Sequence, residues 1–169
     1  MIETPRLLLK PLNYHLLEKY LQCDGSLEIA LNLNETTRSI SPALQEALTQ
    51  TILPSVATQT AHYEYHTLWT AILKEEKKMI GDCCIIAEPN QYQEIEIGYG
   101  TYDAFQGRGY MTEIVGGIIE WSKKQLLTKS IIASTEKNNI ASCKVLQRNA
   151  FIKVKETEAM IHWKLELYA

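Results

Sequence analysis

Six consecutive residues in the middle of the chain, Gln106-Gly107-Arg108-Gly109-Tyr110-Met111, have the types and spacing to hold an anion. An alternating run (Glu94, Ile95, Glu96, Ile97) leads through Gly98 and Gly100 into this turn, and a helix is expected to open at about Thr112. Turn N–H groups can converge on one centre, and the first unpaired N–H groups of a helix add partial positive charge there. A phosphate or diphosphate suits that chemistry. A tight connection uses the same glycines, so the turn by itself leaves both readings open. Two nucleotide motifs are absent: there is no G-x-x-x-x-G-K-[ST], and Gly107-Arg108-Gly109 lacks the third glycine of the dinucleotide fingerprint.

Proton chemistry has fewer candidates. Alternation puts Glu94, Glu96, Gly98 and Gly100 on one strand face and Ile95, Ile97 and Tyr99 on the other. A carboxylate on that face either takes a proton from a substrate or is solvated or ion-paired to the next strand. Arg108 lies where it meets either a phosphate or solvent. Asn138, Asn139 and Ser142 sit together at a helix start, where all three can cap. His15, His62, His66 and His162 form no metal or triad spacing, and the four cysteines form no C-x-x-C, so neither metal nor redox use is expected. Cys23, Cys83, Cys84 and Cys143 read instead as small buried apolar residues.

Elements are needed to position these groups. Strands are expected at 6–10, 65–73, 79–87, 94–100, 129–134, 151–155 and 159–167, from runs of apolar and β-branched residues bounded by turn residues. Helices are expected at 14–22 behind an Asn13 cap, at 26–31, from Ser41 and Pro42 onward, at 112–126, and from about Asn138 to Arg148. Pro54 should end or kink the third of these. Gly116 and Gly117 inside the 112–126 helix cost about 1 kcal/mol each relative to Ala, so close packing is the expected reason for them.

The run EIGYGTYDAFQGRGYMTE resembles the acyl-CoA-binding motif of the GNAT N-acetyltransferase superfamily: Gln or Arg, two residues, Gly, one residue, Gly or Ala. Gln106 and Gly109 match, and Met111 departs from the small residue usual at the last place. The opening ETPRLLLKPL resembles the branch that includes the ribosomal-protein alanine N-acetyltransferases, through Thr4, Arg6, Leu7 and Leu9. NNIASCKVLQRNAF is similar to a third family segment through Asn139, Ser142 and Phe151, with Ala150 where Gly is usual.

The resemblance implies one α/β (α+β) domain over 1–169, a mixed, mostly antiparallel sheet of six to seven strands with helices on both faces. It implies acetyl-CoA as cosubstrate, its diphosphate on the amides of Gln106, Gly107, Arg108, Gly109, Tyr110, Met111 and Thr112. The pantetheine arm would lie beside Tyr99, Gly100 and Thr101 and touch Asn139. It further implies Glu96 as base and Ser142 as the group near sulfur, with Tyr99 or Tyr110 as the alternative acid. The expected reaction is acetyl transfer to a primary amine, on a small molecule such as an antibiotic or polyamine or on a protein N-terminus. A CoA-binding domain without turnover, and a plain interaction domain, are the alternatives.

At 169 residues the chain is long enough for one sizeable core, and 46% hydrophobic with 22% charged residues is an ordinary globular balance. A net charge of −3 carries no footprint for nucleic acid or anionic membrane. No apolar run approaches the roughly 18 residues that span a bilayer, and no basic-then-apolar leader opens the chain, so the cytoplasm is expected. A monomer or homodimer is expected.

Overall fold

The structure, a computed structural model, describes residues 1–168. Its strands are β1 (Ile2–Glu3), β2 (Leu7–Pro11), β3 (Leu68–Leu73), β4 (Lys78–Ile85), β5 (Glu94–Thr101), β6 (Ser130–Glu136), β7 (Ile152–Glu156) and β8 (Met160–Glu166). They form one sheet in the order β1-β2-β3-β4-β5-β6-β8-β7. Every neighbouring pair is antiparallel except β5 and β6. The eighth strand beyond the expected number is β1, two residues that pair with β2 at Ile2↔Leu9 and are too short to show a period.

Helices cover both faces. On one lie α1 (Tyr14–Gln22), α2 (Ser26–Ala30), α3 (Pro42–Ala47) and α4 (Leu53–Thr58), over a core of Leu12, Leu17, Tyr20, Leu48, Leu68 and Met79. On the other lie α5 (Tyr110–Ser122) and α6 (Ile140–Arg148), over Ile80, Ile95, Ile97, Ile114, Ile118 and Ile131. Helix α1 is capped by Asn13, whose side chain accepts from the Leu16 N–H. Pro54 does not end its helix: between α3 and α4 the turn Leu48–Ile52 widens to π geometry, with the Leu53 N–H reaching the Leu48 carbonyl. The wider turn accommodates a proline that has no N–H to give.

Some boundaries shift. The third strand begins at Leu68, because residues Tyr63–Tyr65 form a 3-10 turn. Helix α5 starts at Tyr110 and ends at Ser122, two residues earlier and four residues earlier than its apolar pattern suggests. Gly117 has the expected packing role: a Cβ there would lie 2.8 Å from Leu9 Cδ1 and 3.1 Å from Thr4 Cγ2. Without a side chain, α5 lies directly on β1 and β2.

Candidate functional site

The pairing of β5 with β6 decides the shape of the site. It runs only from Glu94↔Ser130 to Glu96↔Ile132, although both strands continue, so the sheet opens beyond Glu96. On its other side β5 stays bonded to β4 as far as Thr101. The Ile86 N–H reaches the Glu96 carbonyl at 3.0 Å, and the Tyr102 N–H reaches Ile80 at 2.9 Å. With side chains alternating at period two, this register turns the main-chain groups of Gly98 and Gly100 toward β4. Those of Ile97, Tyr99 and Thr101 turn into the opening.

At the end of β5 the chain makes the glycine turn. Gly107 (φ 75) and Gly109 (φ 77) are both left-handed. That conformation suits glycine and sharpens the bend. The first main-chain bond of α5 runs from the Glu113 N–H to the Gly109 carbonyl at 3.3 Å. Among the described residues, the amides of 107–112 therefore have no main-chain acceptor outside the helix start. Gln106 is exposed, and its Nε2 donates to the Thr101 carbonyl (3.3 Å) and to Asp103 Oδ1 (3.2 Å), tying the turn to β5. Met111 is buried in the core, so the departure from a small residue leaves the amides clear.

Beside this stretch lies a cavity of about 660 Å³ between β5, the turn and α6. Tyr99, Gly100, Thr101, Gln106, Gly107, Gly109, Tyr110, Met111, Thr112, Asn139 and Ser142 all line it. Asn139 caps α6, its Oδ1 accepting from the Ser142 N–H at 3.1 Å. Ser142 Oγ donates to Tyr99 Oη at 3.0 Å, and Tyr99 Oη donates to the Ser142 carbonyl at 3.1 Å, bridging the opening. Burial raises the Tyr99 phenol to about 12, so it holds its proton at neutral pH. Arg108 stands apart, exposed and 5.8 Å from the Phe105 ring. Lys144 and Arg148, one turn apart on α6, line the cavity and supply positive charge that no motif marked. Their spacing of four was the available signal.

A second unmarked group braces the turn. Glu113, in the first turn of α5, accepts from the Thr4 hydroxyl (2.6 Å), the Arg6 N–H (2.8 Å) and Arg6 Nε (2.6 Å). Arg6 in turn donates from Nη1 to the Arg108 carbonyl (3.1 Å) and covers the Tyr110 ring at 4.5 Å. Burial pushes the Glu113 carboxyl up, and the Thr4 hydroxyl and the Arg6 amide and guanidinium outweigh it, leaving the group below its ordinary value.

The opposite face of β5 carries the carboxylates. Glu94 is ion-paired to Lys164 at 2.9 Å, and that bond holds it below its ordinary value. Glu96, at the last paired register, is half-buried with no side-chain hydrogen bond among the described residues, and it lines neither this cavity nor the next. Beyond it, Gly98 and Gly100 floor a cavity of about 550 Å³ whose walls include Tyr20, Arg38, Asp82, Cys84 and Tyr102. Asp82, directly opposite Gly100 on β4, is buried. Its Oδ2 accepts from Tyr20 Oη (2.7 Å) and Tyr102 Oη (2.8 Å). Burial raises its carboxyl to about 6, against the pull of those two hydroxyls, of the Thr70 hydroxyl on β3 and of Arg38. Of the cysteines, Cys83 and Cys143 are buried and Cys84 half-buried, but Cys23 is exposed at a left-handed helix end, 2.8 Å from Arg38 Nη1. No group of three or more His, Cys, Asp or Glu among the described residues is placed to hold a metal, and no helix among them is long and apolar enough to cross a membrane.

Residues 6–152 match the family model described as Acetyltransferase (GNAT) domain. The chain belongs to the GNAT acetyltransferase family. A Bacillus subtilis (strain 168) relative, the uncharacterized N-acetyltransferase YjdG, is 26% identical over 95 residues. That match spans 56% of each chain, so the chain covers little more than half the length of this curated relative. Among solved structures, a ribosomal-protein alanine acetyltransferase from Vibrio fischeri superposes with TM-score 0.72 at 21% identity, over 98% of this chain and 96% of that one. A ribosomal α-N-protein acetyltransferase in complex with coenzyme A superposes with TM-score 0.67 at 15% identity, over 96% and 95%. The GNAT fold is thus shared along the whole described chain, with β5 and β6 opening beside the glycine turn.

Proposed function

We propose that the chain transfers the acetyl group of acetyl-CoA to a primary amine by direct attack within a ternary complex. The observation that carries this reading is the stretch of unengaged amides from Gly107 to Thr112 beside a cavity that Tyr99, Gly100 and Thr101 of β5 also line. The residues fit a diphosphate-bearing thioester. The turn amides and the α5 N-terminus hold the diphosphate, and Lys144 and Arg148 add charge from α6. The free side of β5 at Tyr99 and Thr101 aligns the arm and polarises the thioester carbonyl. Asn139, its Oδ1 engaged as a cap, has its Nδ2 left for the arm.

Holding the two reactants in attack geometry supplies much of the rate without a covalent enzyme intermediate. Glu96, on the far face of β5, takes the amine's proton through water. Tyr99 and Ser142 act as one unit at the leaving sulfur, the serine hydroxyl donating to the phenol and the phenol proton swinging from the Ser142 carbonyl to the thiolate.

The leading acceptor is the N-terminal α-amine of a protein or peptide. An α-amine has a pKa of about 8 against about 10.4 for lysine, and so asks less of its base. Thiol release from acetyl-CoA over a panel of amines, beside a calorimetric titration with coenzyme A, tests this function. Heat without release with any amine would leave a binding domain, and no heat at all would remove the cosubstrate. Glu96→Gln should lower turnover roughly hundredfold at low pH, where the amine arrives charged, and less as pH nears the amine's own pKa. Unchanged rates across the range would assign the proton to another group.

A further inference from the structure

The brace at the start of α5 commits one peptide of the glycine turn to a single orientation. The Arg6 guanidinium spans two acceptors: Nε donates to Glu113 Oε2 (2.6 Å) and Nη1 to the Arg108 carbonyl (3.1 Å). Glu113 is held in turn, its Oε1 accepting from the Thr4 hydroxyl (2.6 Å) and the Arg6 N–H (2.8 Å). Thr4 Oγ1 itself accepts from the Leu7 N–H at 3.1 Å, so the carboxylate is anchored to the main chain of β2. A planar fork fixed at one end by a carboxylate and lying 4.5 Å over the Tyr110 ring has little freedom left at the other end.

A fixed carbonyl fixes an amide. Every peptide bond among the described residues is trans, so the C=O of Arg108 and the N–H of Gly109, which belong to one planar unit, point in opposite directions. With the oxygen committed to Arg6, the N–H points away from Arg6. Gly109 lines the cavity beside the turn and Arg6 does not, and the Gly109 N–H has no main-chain acceptor. Nothing in Gly109 itself holds this arrangement. Its φ is 77, and glycine takes φ of either sign about as readily, so the peptide is free to flip unless something outside the turn holds it.

We infer that Arg6 is a positioning residue for the cosubstrate: by gripping the Arg108 carbonyl it keeps the Gly109 N–H on the cavity side, preset for the diphosphate, while Glu113 and Thr4 aim Arg6. This role rests on the transferase reading and deepens it by naming what orients one amide of the cradle. An amide that already points at the anion does not have to turn when the anion arrives, and that saving appears as affinity. Arg6 acts through the peptide and touches no phosphate.

Two rival roles use the same residue: attraction of the diphosphate by charge alone, and packing of β2 on α5. Arg6→Lys keeps the charge but has a single nitrogen, which cannot serve Glu113 and the Arg108 carbonyl together; Arg6→Gln removes the charge as well. Arg108-Gly109 is the one Arg-Gly step in the sequence. The full chain labelled with carbon-13 at arginine carbonyls and nitrogen-15 in glycine therefore gives one NMR correlation that reads both ends of this peptide.

Without ligand, the variants should move the Arg108 carbonyl resonance and change the residual dipolar coupling of the Gly109 N–H. Coenzyme A added to the wild type should move the Gly109 N–H more than the Arg108 carbonyl. In calorimetry the variants should bind coenzyme A roughly tenfold more weakly, the scale of one lost hydrogen bond to a charged group. The acetyl-CoA KM should rise by a similar factor with kcat little changed. Should Arg6→Gln fail to fold, Arg6→Lys, which can keep its ion pair with Glu113, carries the test.

A resonance and coupling that neither variant moves would mean that the turn holds itself, and would overturn the inference. So would wild-type coenzyme A affinity in a variant whose carbonyl resonance has moved, or a loss of kcat at unchanged acetyl-CoA KM. No heat from coenzyme A with the wild type would instead strike the transferase reading, and the ligand-free correlation would still decide whether Arg6 orients the peptide.

Discussion

The two cavities that meet at β5 are built from different materials. The one at the glycine turn is made of main chain: amides at a helix start, a strand edge with no partner, and glycines in left-handed conformation. Its charged side chains, Lys144 and Arg148, are exposed on α6. The one across the strand is made of buried side chains, Asp82, Arg38, Tyr20 and Tyr102, drawn from β4, the loop before α3, α1 and the end of β5. The difference separates what is fixed from what is selected. A backbone cradle takes an anion whatever the side chains are, while a carboxylate buried among phenols and a guanidinium depends on each of those side chains and works against folding when ionised.

The buried carboxylate has a pH signature in the stability of the fold. A carboxyl held at about 6 rather than 3.8 works against folding only when ionised. Below its unfolded value both states are protonated and the penalty is absent; it grows as pH rises and is complete above about 6, where it reaches about 3 kcal/mol. Urea unfolding of the wild type and of Asp82→Asn at pH 4 and pH 8 should therefore diverge. The wild type loses up to that amount relative to the variant at the higher pH. Parallel curves would mean that Arg38 and the neighbouring hydroxyls offset the burial, and this cavity would carry no strain.

The next effect lies on the other side of β5. Glu113 ties Thr4 and Arg6 to the start of α5, and through Arg6 to the Arg108 carbonyl in the turn. Glu113→Ala removes three hydrogen bonds to one carboxylate and should cost about 2 kcal/mol in unfolding experiments. It should also weaken coenzyme A binding several-fold in calorimetry, with the amine KM unmoved. If the amine KM changes as well, the two cavities share the Glu113 brace.

How far the sequence exposed each side follows from the same contrast. The turn was legible because left-handed backbone demands glycine and a helix start demands nothing of its side chains, so Gly107, Gly109 and the opening of α5 appear as a local pattern. Tyr99, Asn139 and Ser142 were reached only through family resemblance, since Tyr99 and Ser142 meet across 43 residues of chain. Asp82, in the run Ile80-Gly81-Asp82-Cys83, gave no local sign at all: its meaning comes from Tyr20, 62 residues earlier, and Tyr102, 20 residues later. Glu113 was hidden for a similar reason, its partners lying 107 and 109 residues away. The strand count missed β1, since two residues carry no alternation.

The smallest expected effects give the sharpest comparison, because the same substitution can be placed on each side. Gly109 is left-handed (φ 77), and alanine there must adopt a conformation that costs about 1 to 2 kcal/mol, or the turn must relax to avoid it. Either way the amides shift, and Gly109→Ala should weaken coenzyme A by roughly tenfold while leaving the amine KM alone. Gly100 has ordinary strand dihedrals and open space at its Cβ, so Gly100→Ala costs the fold little. Its methyl enters the Asp82 cavity, and it should raise the amine KM by more than it weakens coenzyme A, whose cavity Gly100 also borders. Opposite responses from two alanines nine positions apart would establish that β5 is the wall between two independently built sites. Loss of coenzyme A binding in both would show a single cavity in which cosubstrate and acceptor compete for the same strand.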